Sequence, residues 1–165
     1  MNRKRSFPPI VDEHTRLLIL GSLPGEQSLA AGRYYANPRN HFWALTGAVI
    51  GIDLEHLAYE QRLETLRAHG IGLWDTVAEA TRNGSLDTSI REHLPNDLET
   101  LVAGLPHLRA VAFNGGRSAK IGMKLLAEHA HRLALIRLPS SSPAHTVSVK
   151  DKTKAWNKLR LFLCN

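Results

Sequence analysis

Cysteine is almost missing from this chain: there is one in 165 residues, Cys164, next to the C-terminus. One thiol cannot close an intrachain disulfide, and it cannot supply a Cys-rich zinc or iron–sulfur site. Long apolar runs are missing too. No stretch approaches the roughly 20 residues of a membrane-spanning helix, so no membrane partner is expected. The opening Met1-Asn2-Arg3-Lys4-Arg5-Ser6-Phe7-Pro8-Pro9 is basic but has no apolar segment, and does not read as a secretory signal. The nine histidines show no H-x-x-x-H or mixed His/Cys spacing, so no metal is expected. His129 and His131 read as structural or exposed. There is no Walker A, no G-x-G-x-x-G, no internal repeat and no low-complexity segment. Acidic residues are in short supply, 15 against 21 Lys and Arg, giving a formal charge of +6 and a pI near 9.8. That balance favours an anionic partner, most commonly nucleic acid. A cytoplasmic monomer without a cofactor is the expectation.

What is present suits one domain with a real core: 43% of residues are apolar. Residues 1–15 read as a basic tail and 16–165 as the domain. Residues 16–20 read as a buried strand, 40–50 as a helix, and 54–68 as an amphipathic helix. Gly70 to Asp75 reads as a short turn-strand-turn. Residues 76–94 look irregular, with Asn83-Gly84-Ser85 as a turn signal. Pro95-Asn96-Asp97 starts a helix to about Gly104. Strand Arg109–Phe113, a Gly115-Gly116 turn, helix 117–130, strand Leu133–Leu138 and helix Asp151–Leu163 follow. Alternating strands and helices predict a three-layer α/β/α sandwich around a mostly parallel four-stranded sheet. In such a sheet the loops after residues 20, 113 and 138 converge at one edge, where ligands bind. Lys150, Lys152, Lys154, Lys158 and Arg160 read either as a solvated helix face or as part of a surface for the anionic partner.

Several side chains near those loops could carry chemistry. Tyr34 and Tyr35 are adjacent and cannot both face one way in extended chain; one can stack a flat base while the other packs. Asn37 and Asn40 flank Pro38-Arg39. Asn40 reads as a helix N-cap, or either amide could hold a water for attack on a reactive sugar cation. Asp75 reads as an N-cap or as an acceptor for a ring N–H. Leu138-Pro139-Ser140-Ser141-Ser142-Pro143-Ala144-His145 is a stiff loop. It can be a plain turn, a clamp for phosphates, or a serine–histidine site that lacks the G-x-S-x-G elbow.

Five segments in order, G-S-L-P-G at 21–25, Y-Y-A-N-P-R-N-H-F-W at 34–43, G-I-G-L-W-D at 70–75, F-N-G at 113–115 and L-P-S-S-S-P-A-H at 138–145, resemble the uracil-DNA glycosylase superfamily. They are most similar to its hypoxanthine-DNA (deoxyinosine) branch. The resemblance runs from about residue 16 to 160. It implies hydrolysis of the N-glycosidic bond of a flipped deaminated base in double-stranded DNA, leaving an abasic site. Hypoxanthine is the favoured base and uracil the alternative. Mismatch-specific relatives read G-I-N-P-G in the first motif, and their asparagine positions the water; Leu23 stands there in this chain. The resemblance therefore passes that role to Asn37 or Asn40. Asn40 matches the N-x-F-W asparagine of relatives in which it is not catalytic. The resemblance also assigns Ser22, Leu23, Pro24, Gly25, Tyr35, Asp75 and Asn114 to the base, and Ser140, Ser141, Ser142, Pro143 and His145 to the DNA backbone and the opened helix. The rival functions are a mismatch-type uracil glycosylase and a damaged-DNA-binding module without catalysis, the latter favoured by Leu23.

Overall fold

The computed structural model describes residues 3–82, 85 and 91–164. In chain order the elements are β1 (Arg3–Arg5), β2 (Leu17–Gly21), α1 (Glu26–Ala31), α2 (Phe42–Ile50), α3 (Tyr59–Ala68), β3 (Ile71–Asp75), β4 (Val77–Thr81) and β5 (Arg91–Pro95). After them come α4 (Leu98–Ala103), β6 (Ala110–Asn114), α5 (Gly116–Leu125), β7 (Ala134–Leu138) and α6 (Val149–Trp156).

Every residue of β2, Leu-Leu-Ile-Leu-Gly, is buried, and so is every residue of β6, Ala-Val-Ala-Phe-Asn. Unbroken burial marks strands covered on both faces, as parallel sheets are. The sheet is wholly parallel, in the order β3-β2-β6-β7. Leu17 and Ile19 face a core with Phe42, Trp43, Leu63, Leu66 and Trp156, from α2, α3 and α6. Leu18 and Leu20 face the other core, with Leu98, Val102 and Ala119 from α4 and α5. The expected three layers are therefore present. The chain leaves β2 for β3 on one side and returns to β6 on the other. This reversal opens a crevice beyond the carboxyl ends of β2 and β6.

Two parts differ from expectation. Residues 76–94, expected to be irregular, carry β4 and β5, and β4 lies between β1 and β5 in a second, antiparallel sheet. Register shifts between Val77 and Glu79 and between Glu79 and Thr81 put the buried Val77 and Ala80 three residues apart. That spacing removes the alternation that identifies a strand. Of the Asn83-Gly84-Ser85 turn signal, Asn83 and Gly84 lie outside the described residues. Arg3–Arg5, expected within a tail, forms β1 against β4. Its charge is compensated: Arg3 and Arg5 Nε each lie 3.1 Å from the Glu79 carboxylate, and Lys4 Nζ lies 3.1 Å from Glu26 Oε1.

The other differences are at element ends. The helix expected from Asn40 starts at Phe42, and the one expected from residue 54 starts at Tyr59. The helices expected to reach 130 and 163 finish in 3₁₀ turns at Ala127–His129 and Asn157–Phe162. The short α1 has no counterpart among the expected elements.

Candidate active site

A cavity of about 780 Å³ occupies the crevice, and all three predicted loops line it. Every candidate residue is on its wall: Ser22 to Gly25, Tyr35, Asn37, Asn40, Asp75, Asn114, and Ser140 to Pro143 with His145. The volume lies within the range of small-molecule sites and admits a purine.

Asn114, at the end of β6, organises the floor. Its Nδ2 donates to Ser141 Oγ at 2.9 Å and to Tyr35 Oη at 3.3 Å, and its Oδ1 accepts from Ser141 N at 2.8 Å. One buried amide thus ties the loop after β7 to the aromatic from the loop after β2. Gly115 follows with φ of +98°, a left-handed value that suits glycine. It turns the chain sharply into α5, whose first turn brings Arg117 and Lys120 to the cavity.

The two tyrosines divide the work. Tyr34 is buried; its hydroxyl donates to Pro8 O at 2.8 Å, and its ring packs edge-on against Phe7. Burial raises its pKa first and the nearby Asp75 carboxylate second. Tyr35 lines the cavity and stacks on Phe42, with centroids 3.8 Å apart and planes 4° apart. It is the one non-glycine residue with positive φ, +52°, among the described residues. An aromatic in that region is strained. Phe42, Asn114 and Trp43, whose Nε1 donates to Tyr35 O at 3.1 Å, hold it there. Strain fixed by so many contacts is a mark of functional sites.

Asp75 ends β3 beside Gly21, and only 3% of its surface is exposed. A Cβ at Gly21 would lie 2.5 Å from Asp75 Oδ1 and 3.0 Å from Tyr35 Oη. The bare glycine leaves room for both carboxylate and phenol at the strand end.

Both candidate amides sit in one tight turn. Asn40 N donates to Asn37 O at 2.9 Å; Asn37 Oδ1 accepts from Arg39 N, and Asn40 Oδ1 from Phe42 N, each at 2.9 Å. Asn40 thus makes an Asx-type turn into α2 rather than its cap, which falls one residue later at His41, and it still reaches the cavity. The next residue fixes it further: His41 N donates to Ser141 O at 2.9 Å. The residue before Asn37 is held as well, Ala36 N donating to Ser28 Oγ at 3.0 Å, but to α1 rather than to the loop after β7.

Leu23, where relatives place an amide, packs with Val77, Ala80 and Ile121 under the β4–β5 sheet. Its apolar side chain matches the hairpin above it. Arg82, buried at 2% exposure, donates to Leu23 O at 3.2 Å and to Pro24 O, and so holds the motif's backbone. In the 140–145 loop each serine hydroxyl is engaged away from His145. Ser141 Oγ accepts from Asn114, Ser140 Oγ from Ser142 N at 3.1 Å, and Ser142 Oγ from Ala144 N at 3.2 Å. Among the described residues no serine hydroxyl of this loop is hydrogen-bonded to His145, the contact a serine–histidine nucleophile needs. Among the described residues no cluster of three or more His, Cys, Asp or Glu side chains is arranged for a metal ion. None of their helices is long and apolar enough to cross a membrane.

Sequence reasoning missed Arg82, Arg117 and Lys120, and it put Lys152 on a solvated or anion-facing helix face, whereas Lys152 is buried and donates to Ser142 O at 3.1 Å. No motif includes them. Only the isolated position of an arginine after the Gly115-Gly116 turn could have pointed to Arg117.

A switch-point cavity with an aromatic platform, fixed amides and a cationic rim suits enzymes that work on a base turned out of a nucleic acid. The chain belongs to the uracil DNA glycosylase superfamily, whose sequence model matches residues 8–160. It is 40% identical over 154 residues to a hypoxanthine DNA glycosylase of Methanosarcina barkeri (strain Fusaro / DSM 804), covering 93% of this chain and 96% of that protein. A hypoxanthine DNA glycosylase of Methanosarcina acetivorans is 40% identical over 153 residues, covering 93% and 95%. The solution NMR structure of a candidate uracil DNA glycosylase from Methanosarcina acetivorans superposes with a TM-score of 0.87 at 39% identity, covering 98% of this chain and 99% of that one. The protein is a DNA glycosylase, and DNA is its substrate.

Proposed function

We propose that the protein excises hypoxanthine from double-stranded DNA as a monofunctional, monomeric glycosylase, leaving an abasic site. The observation that carries this reading is the cluster at the cavity floor, where Asp75 and Tyr35 both crowd Gly21 and Asn114 links Tyr35 to Ser141. The relatives named for hypoxanthine support the choice of base.

Arg117, Lys120 and the Ser140–Pro143 loop grip phosphates around the damaged nucleotide. The nucleotide rotates out at a cost of a few kcal/mol, less when it is mispaired. Its base stacks on Tyr35, whose ring is backed by Phe42. Asp75 accepts from the ring N–H beside the base carbonyl, and backbone N–H groups near Ser22 and Leu23 donate to the carbonyl. The glycosidic bond breaks with the electron pair moving to the base, and the same donors stabilise the departing anion. A water held by an asparagine carbonyl then attacks the sugar cation. Asn40 takes this role, because the residue after it is tied to Ser141 in the loop after β7, whereas the residue before Asn37 is tied to Ser28 of α1. Asn37 belongs to the same turn and supports it.

The test is incubation with duplexes carrying hypoxanthine, uracil, xanthine or thymine opposite each normal base, followed by alkali. Hypoxanthine duplexes should be cleaved fastest. Preference for uracil opposite guanine would favour a mismatch-type enzyme, and cleavage of none would favour a binding module.

A further inference from the structure

Lys152 is fully buried, with 0% of its surface exposed. Among the described residues it has no carboxylate partner. Its Nζ donates to Ser142 O at 3.1 Å and lies 3.5 Å from His41 Nδ1. A buried ammonium without a counter-ion is costly, and a methionine would fill the same space without that cost. The cation therefore calls for a role beyond packing.

Its partners suggest one. Ser142 follows Ser141, which Asn114 holds from both backbone and side chain. His41 follows Asn40, and His41 N bonds Ser141 O. One turn along α6, Trp156 Nε1 donates to Pro139 O at 2.9 Å. Helix α6 thus holds the post-β7 loop at two carbonyls, and through Lys152 it also reaches the residue beside the proposed water-holding amide. We propose that Lys152 is a positioning residue: through Ser142 and a neutral His41 it locks the Asn40 turn to the Ser140–Ser142 loop, so that the loop's seat on DNA sets the attacking water.

The imidazole can accept at Nδ1 only when that nitrogen carries no proton, which puts the proton on Nε2. Burial, and then the Lys152 charge, hold His41 below the ordinary imidazole value, while Glu55 pulls the other way. Burial likewise lowers Lys152. Acid that protonates His41 sets two cations against each other and breaks the lock, so excision gains an acid limb that belongs to this pair.

The proposal rests on Asn40 holding the water, and its test separates the two. In Lys152→Met, single-turnover excision should fall on the order of 10²-fold, the cost of misplacing a reacting group by about an ångström. Affinity for undamaged duplex should stay within about threefold, and the acid limb should disappear, because a protonated His41 no longer faces a cation. His41→Asn, which keeps an acceptor near the Nδ1 position, should excise about tenfold faster than His41→Leu. Lys152→Met combined with His41→Leu should be no slower than either alone. A folded Lys152→Met with the normal rate and an unchanged acid limb overturns the proposal. If Lys152→Met does not fold, the His41 pair decides, and equal rates for His41→Asn and His41→Leu overturn it. Failure of the unaltered protein to excise any base would instead remove the reading of the reaction itself.

Discussion

Gly21 is where the chemistry of single residues is tightest. Any side chain there strikes the Asp75 carboxylate, which is too buried to swing away. Gly21→Ala should cost about 1–3 kcal/mol through overpacking and slow excision by about tenfold or more, because Asp75 and Tyr35 shift together. Denaturant unfolding and single-turnover assays would check both effects. A fully active Gly21→Ala would mean that Asp75 does not read the base. Tyr35→Ala should lower excision of the damaged base more than affinity for undamaged duplex, since stacking contributes roughly 1–3 kcal/mol only once the base is out. Equal losses would remove the stacking role. Each of these residues was legible in the sequence, because glycine, paired aromatics and amides at a strand end are unusual together. Their individual roles were not. Nothing in Y-Y says that Tyr34 is buried against Phe7 while Tyr35 carries a positive φ. The choice between Asn37 and Asn40 rests on a backbone bond from His41 to Ser141, a hundred positions along the chain.

Among the elements, α6 matters most for its length. Its eight residues carry Trp156 and Lys152 on the face that holds the Pro139–Ser142 loop. The helix starts with Ser148, whose Oγ accepts from Asp151 N at 3.1 Å. Ser148→Ala should cost about 1 kcal/mol, lowering Tm by roughly 2–4 °C for a protein of this size. A drop in excision larger than the stability loss explains is also expected, since the loop follows the helix. An unchanged Tm would show that the cap is not used in solution. The parallel strands and their order of appearance could be read from unbroken apolar runs. The β4–β5 sheet could not, because its register shifts erase the period of two on which such reading depends. The hairpin's role was hidden for the same reason: it buries Leu23 and supplies Arg82 to the motif's carbonyls.

For the whole molecule, the positive charge is less available than its total of +6 implies. The basic residues at the chain ends are partly used within the fold. Arg3 and Arg5 face Glu79, Lys4 faces Glu26, Lys152 is buried, and Arg160 donates to Ala48 and Val49 carbonyls. Lys150, Lys154 and Lys158 keep the solvated face read from that helix, and Arg160 is exposed while bonded to the α2 carbonyls. Arg117 and Lys120, at the cavity rim, are the cations proposed to face DNA. Affinity for undamaged duplex should fall as salt rises. Arg117→Ala and Lys120→Ala should each reduce the slope of log K against log salt by about 1. An unchanged slope would put the phosphate contacts elsewhere.

We propose above all that a fixed amide at the mouth of this cavity delivers water to a sugar losing hypoxanthine. Single-turnover excision from a hypoxanthine duplex, with enzyme in excess, tests it when the unaltered protein is compared with Asn40→Ala and Asn37→Ala. Asn40→Ala should be slowed on the order of 10²-fold or more with duplex affinity nearly intact, and Asn37→Ala should be slowed far less. Normal excision by Asn40→Ala would contradict the claim.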